Sequence, residues 1–66
     1  MPSSVVSAIR YYPEKTTLRV VFQTGMVYDY ENVPEKVYKK MKVATSKGTF
    51  LNHHIKGNYD YKKVSD

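Results

Sequence analysis

The chain predicts an α+β domain: a three-stranded antiparallel β-meander followed by two short helices packed on one face, in the order β-β-β-α-α. Three observations predict it. Apolar residues in the first half share faces at every second position, the period of a strand. In the second half they fall three and four apart, the period of a helix. Proline, glycine and serine punctuate the boundaries between these runs.

The first strand lies around Val6-Ser7-Ala8-Ile9-Arg10-Tyr11, where the apolar pattern is irregular but Ile9 and Tyr11 share a face. Tyr12-Pro13-Glu14-Lys15 marks a turn, because proline presets φ and the charged residues need water. Leu18-Arg19-Val20-Val21-Phe22 is the clearest strand, with Leu18, Val20 and Phe22 on one face and a β-branched, aromatic composition. Gln23-Thr24-Gly25 suits a tight hairpin in which Gly25 takes positive φ. The third strand, Met26-Val27-Tyr28-Asp29-Tyr30, turns Met26, Tyr28 and Tyr30 to one side and Val27 and Asp29 to the other.

Asn32-Val33-Pro34-Glu35 then reads as a helix start, with proline in the first turn and an acid facing the positive end of the dipole. Val37, Tyr38, Met41 and Ala44 form the apolar side of that helix, and Lys36, Lys39 and Lys40 the opposite side. Thr45-Ser46-Lys47-Gly48 breaks it, and Ser46 is placed to cap the next helix. There Phe50, Leu51, His54 and Ile55 line one side, Asn52, His53 and Lys56 the other, and Gly57 sits where a C-terminal glycine belongs. The tail, Tyr59-Asp60-Tyr61-Lys62-Lys63-Val64, alternates again and reads as a short C-terminal strand or an extended arm. No repeat, linker or low-complexity run interrupts the chain, so residues 1–66 read as a single domain.

Composition narrows the function. Apolar residues make up 41% of the 66 and charged residues 26%, a globular balance. A core of this size leaves little room for a deep enclosed pocket, so no small-molecule substrate and no cofactor are expected. No cysteine is present, which removes disulfides and Cys-based zinc sites and makes a reducing cytoplasm the default location. The start, Met1-Pro2-Ser3-Ser4-Val5-Val6, has neither a basic n-region nor a long apolar stretch, so neither a signal peptide nor a membrane span is expected.

The formal charge is +5 and lies unevenly. Residues 1–35 carry Arg10, Lys15 and Arg19 against Glu14, Asp29, Glu31 and Glu35, a net of −1. Residues 36–66 carry Lys36, Lys39, Lys40, Lys42, Lys47, Lys56, Lys62 and Lys63 against Asp60 and Asp66, a net of +6. Such a half favours a polyanionic partner, although lysines also serve simply to keep a small domain in solution.

Several stretches taken together resemble the KTSC domain. They are Ile9-x-Tyr11, Leu18-x-Val20-x-Phe22, Tyr28-Asp29-Tyr30, Val33-Pro34 with Val37-Tyr38, and Ser46-Lys47-Gly48-Thr49-Phe50-Leu51-Asn52 with Ile55 and Tyr59. The order and spacing of Tyr-x-Tyr, Val-Pro and Ser-Lys-Gly-x-x-x-Asn make the likeness fairly specific, and it spans nearly the whole chain. That family occurs at the C-terminus of some lysyl-tRNA synthetases and as small stand-alone bacterial and phage proteins. The resemblance implies RNA, tRNA among its forms, as a partner class, and it supplies no catalytic residues.

Four constellations bear on function. Lys36, Lys39 and Lys40, with Lys56, Lys62 and Lys63, are candidate phosphate contacts; lysine there gives affinity without reading sequence. The seven tyrosines are the second, because single-stranded nucleic acids stack their bases on exposed rings in a positive groove. Tyr28, Tyr30 and Tyr38 fall on inward-looking faces, whereas Tyr12, Tyr59 and Tyr61 are candidates for exposure, the last two beside Lys62 and Lys63. Third, Ser46-Lys47-Gly48 with Asn52 is either a helix N-terminus open to an anion or a capped connection between helices. Fourth, His53-His54 does not form a metal site: neighbours on a helix point about 100° apart, and no further His or Cys completes a ligand set. His54 reads as a core histidine and His53 as exposed.

No Ser, His and carboxylate set is legible, and although Asp29, Glu31 and Asp60 could share a neighbourhood, their spacing does not argue for a hydrolytic pair. The chain therefore reads as a binding module and not an enzyme. Nucleic acid, RNA before DNA, is the expected partner, held by the lysine-rich helical surface of Lys36, Lys39, Lys40, Lys47 and Lys56, with Tyr59, Tyr61, Lys62 and Lys63 as a secondary stacking and charge patch; the alternative is a protein-interaction module or a phage or bacterial assembly protein that docks through an apolar patch or a free sheet edge.

Overall fold

A computed structural model describes residues 6–64; residues 1–5 and 65–66, and with them the reading of the chain's start, lie outside the described residues. Strands β1 (Val6–Tyr12), β2 (Thr17–Phe22), β3 (Val27–Tyr30) and β4 (Tyr61–Lys63) form one sheet in the order β1-β2-β3-β4. All neighbouring pairs are antiparallel. Helix α1 (Glu35–Lys42) and helix α2 (Lys47–Phe50) lie between β3 and β4, and α2 runs on into a wider π-helical turn, Leu51–Ile55. The meander and the two helices match the expected order, and the tail resolves as a fourth strand.

Alternation decides what each strand buries. Leu18, Val20 and Tyr30 are buried on the side that faces the helices. Arg10, Arg19, Asp29 and Lys62 lie in register across the other side. The irregular pattern at the start of β1 has a structural cause. The ladder shifts between Val6 and Ala8, so Val6 pairs with Phe22 while Ala8 pairs with Val21. The extra residue, Ser7, is a bulge that carries Val6 from the outer face to the core face, where it is 7% exposed.

The core is completed by Val33, Met41, Leu51 and Ile55. Two bonds tie the β3–α1 connection down: the Tyr11 hydroxyl donates to the Val33 carbonyl at 2.6 Å, and the Val33 N–H donates to the Thr16 carbonyl at 2.8 Å. The Tyr11 ring stacks on Tyr38 of α1 with centroids 5.2 Å apart, which seats α1 on the β1 edge of the sheet. Burial and the nearby Glu35 carboxylate both raise the Tyr11 hydroxyl above its ordinary value, so it keeps its proton and its donor role.

Two expectations need correction. The first helix stops at Lys42, so Ala44 follows it in the connection. His54 is exposed, not a core residue. Its ring packs against Phe50 at 4.6 Å on the surface. The cause is the π turn: the Lys56 N–H bonds to the Leu51 carbonyl at 2.8 Å, five residues back. Widening that turn lets Leu51 and Ile55 both reach the core and leaves His53 and His54 outside.

Candidate nucleic-acid interface

Helices α1 and α2 sit over the middle of the sheet and its β1 edge, and the β4 edge is left more open. Tyr61 pairs with Tyr30, and Lys63 pairs with Tyr28, so these four side chains share the helix-facing side of β3 and β4. The Tyr61 ring lies 5.2 Å from Tyr28 at an interplanar angle of 9°, and Tyr30 tilts against it at 5.5 Å. Phe22 meets the far side of Tyr28 edge-on at 5.4 Å. The result is an aromatic run from the core to the surface, ending in Tyr61, a residue 58% exposed. Burial, and then the neighbouring Tyr61 and Tyr28, hold the Tyr30 hydroxyl above its ordinary value.

The π turn places the charge beside these rings. It delivers Lys56 and then Gly57, whose φ of +83° reverses the chain toward β4. An open recess of about 380 Å³ is lined by Tyr28, Tyr30, Lys56, Gly57 and Tyr61. A second recess, of about 590 Å³, lies on the other flank of Tyr61 and is lined by Glu31, Asn32, Gly57, Asn58, Tyr59 and Asp60.

The sequence-predicted residues fall into three groups. Lys56, Tyr61 and Lys63 come together on one side of β4. Lys62 points to the opposite face, where its ammonium lies 3.4 Å from the Glu31 carboxylate. Tyr59 is half-buried against the core, less exposed than the sequence suggested, but still borders the second recess. Lys36, Lys39 and Lys40 are exposed along α1 at the β1 edge. That edge lies three strand spacings from β4, about 14 Å. At the third place, Ser46 caps α2: its hydroxyl accepts from the Thr49 N–H at 3.2 Å and donates to Thr49 Oγ1 at 2.9 Å. Lys47 there is half-buried, Gly48 buried, and Asn52 half-buried and bonded.

On the outer face the Arg19 guanidinium grips Asp29 with two bonds, at 2.8 and 3.0 Å, and covers the Tyr12 ring at 5.1 Å. Tyr12 is thereby occupied. Of the three acids, Glu31 and Asp60 line one recess and are joined by the Glu31 N–H donating to the Asp60 carbonyl at 2.8 Å; Asp29 is held by Arg19 and Glu31 by Lys62, while Asp60 makes no ion pair among the described residues. Among the described residues no three His, Cys, Asp or Glu gather to hold a metal ion. No helix among them is long and apolar enough to cross a membrane.

Alternation alone assigns Tyr28 and Tyr30 to the core. Their second role needs the β3–β4 register, for which the sequence offers one signal, the repeated Tyr-Asp-Tyr at 28–30 and 59–61.

Comparison with known proteins agrees with the fold. The sequence profile of the KTSC domain matches residues 2–59. A lysine–tRNA ligase from Nostoc sp. is 37% identical over 62 residues, which cover 94% of this chain and 11% of the ligase. The chain thus spans about a ninth of the length of that relative. An uncharacterized protein from Stutzerimonas stutzeri is 34% identical, with 97% of this chain and 92% of that protein covered. The crystal structure of a KTSC domain protein from Yersinia pestis superposes with a TM-score of 0.91 at 32% identity, covering 98% of this chain and 92% of the other.

Proposed function

The chain belongs to the KTSC domain family, and from that premise we propose that it is a nucleic-acid-binding module without catalytic activity, working in the cytoplasm on single-stranded RNA. The observation that carries the reading is the exposed Tyr61 ring, stacked on Tyr28 and bordered by Lys56 and Lys63. A flat ring fixed by a second ring loses little freedom when a base stacks on it, and the lysines supply the attraction for phosphate. Relatives named as lysine–tRNA ligases support the choice of partner. The α1 lysines add a general positive field.

Titration of labelled single-stranded RNA, duplex RNA and DNA at about 50 and 200 mM salt tests the reading. Binding should favour single strands, weaken with salt and fall by about 5- to 160-fold in Tyr61→Ala, the range for one base–aromatic stack. No binding to any form at the lower salt would sink it.

One observation supports a second reading, a protein-docking surface. Ala8, Val21 and Val27 lie in register across the outer face of β1, β2 and β3, Val64 just past β4 bonds to Val27, and Val64 is 46% exposed. An apolar row of this kind suits a protein partner better than a phosphate backbone.

A further inference from the structure

Tyr61 stands between two recesses of unlike chemistry. The one toward Tyr28 holds a cation, Lys56. The one on the other flank is lined by Asp60, by two amides, Asn32 and Asn58, and by Glu31, whose carboxylate is already paired with Lys62. Lys56 attracts a phosphate to the first, and the unpaired Asp60 disfavours one at the second. The second instead suits a group that donates hydrogen bonds, since an ionised carboxylate only accepts. Asp60 is exposed and makes no ion pair among the described residues. Asn58 donates its amide hydrogen to the His54 carbonyl at 3.0 Å, which leaves its amide oxygen as a further acceptor.

A nucleotide has this same polarity. Its phosphate is anionic, its base is flat, and in RNA the sugar carries a 2′-hydroxyl donor that DNA lacks. We propose that the recess of Asn58 and Asp60 accepts the ribose 2′-hydroxyl of a nucleotide whose base stacks on Tyr61, and so selects RNA over DNA. The proposal rests on the nucleic-acid reading above and adds the sugar to it.

The test uses labelled ten-nucleotide oligo(U), oligo(dU) and 2′-O-methyl oligo(U), titrated by fluorescence anisotropy at about 50 mM salt. All three carry the same base, so the sugar is the only variable. Oligo(U) should bind roughly three- to tenfold tighter than either of the others, the range for one hydrogen bond. Asp60→Ala removes an exposed anion and tightens every ligand, so the ratio is the readout: it should fall toward one, with an unchanged circular dichroism spectrum. Equal binding of oligo(U) and oligo(dU) by the unaltered protein overturns the sugar proposal and leaves the nucleic-acid reading standing. A preference that survives both Asp60→Ala and Asn58→Ala overturns it as well. Absence of binding by all three overturns both.

Discussion

Replacing Lys56 and Lys63 together with alanine removes both cations beside the Tyr61 platform and leaves the α1 lysines in place. Both side chains are exposed and make no ion pair among the described residues, so the fold should be unaffected. Each phosphate neutralised on a single strand contributes about 0.7 to the slope of log affinity against log salt, so two contacts contribute about 1.4. Across a fourfold rise in salt, from about 50 to 200 mM, that slope corresponds to about a sevenfold loss of affinity. The double variant should therefore lose about 1.4 from its slope, read by anisotropy at five salt concentrations. The matched control is Lys36→Ala with Lys39→Ala, which removes the same charge from α1 and should shift the slope far less. The reasoning is refuted if the slope survives loss of Lys56 and Lys63, or if the α1 control removes it instead, since the nucleic acid would then lie along the β1 edge.

Three further outcomes concern the scaffold. Ser46→Ala removes the cap of α2 and should cost about 1 kcal/mol, lowering the melting temperature by about 4–8 °C in a domain of this size. Thr16 is a β-branched residue held at φ +46°, so Thr16→Asn should raise stability by roughly 1 kcal/mol, measured by denaturant titration. Tyr30 ionises later in the folded protein than in the unfolded chain, whose tyrosines titrate near 10. The folded state therefore holds the extra proton above that pH, and its stability should be intact below pH 10 and fall as pH rises beyond it. Tyr30→Phe should flatten that alkaline decline, as followed by melting temperature from pH 8 to 11.

Much of this arrangement is local and therefore legible. Leu18, Val20 and Phe22 announce β2 by alternation, Gly25 announces the hairpin, and Ser46 announces the cap, because each depends on neighbours in the chain. The departures have one physical character: an added residue that resets the count. Ser7 inserts a bulge and moves Val6 to the core face, so the start of β1 looks aperiodic. The π turn after Phe50 inserts a wider loop, so His54, placed in the core by a period of 3.6, ends on the surface. The lysines pose a different difficulty. Their periodicity tells which side of a helix they occupy, but not that α1 lies at the β1 edge while Lys56 and Lys63 lie at the β4 edge.

That separation follows from how the sheet is covered. Tyr38 anchors α1 to Tyr11 on β1, and Met41, Leu51 and Ile55 fill the space over β2 and β3. A chain with only these few helical turns cannot also roof β4. The last strand is three residues long and all three are exposed, which for an edge with free backbone groups is a hazard. Lys62 and Lys63 answer it by making that edge poor at pairing with another strand. Of the two, Lys63 shares the side of the exposed Tyr61 ring and makes the edge receptive to a polyanion with flat bases, while Lys62 is paired with Glu31 on the other face. Protection of the edge and recognition of a partner thus meet in Lys63. A variant chosen only to remove charge there, such as Lys62→Ser with Lys63→Ser, should therefore both weaken oligonucleotide binding and increase self-association in sedimentation. A loss of binding with no change in self-association would show that the two roles are separate.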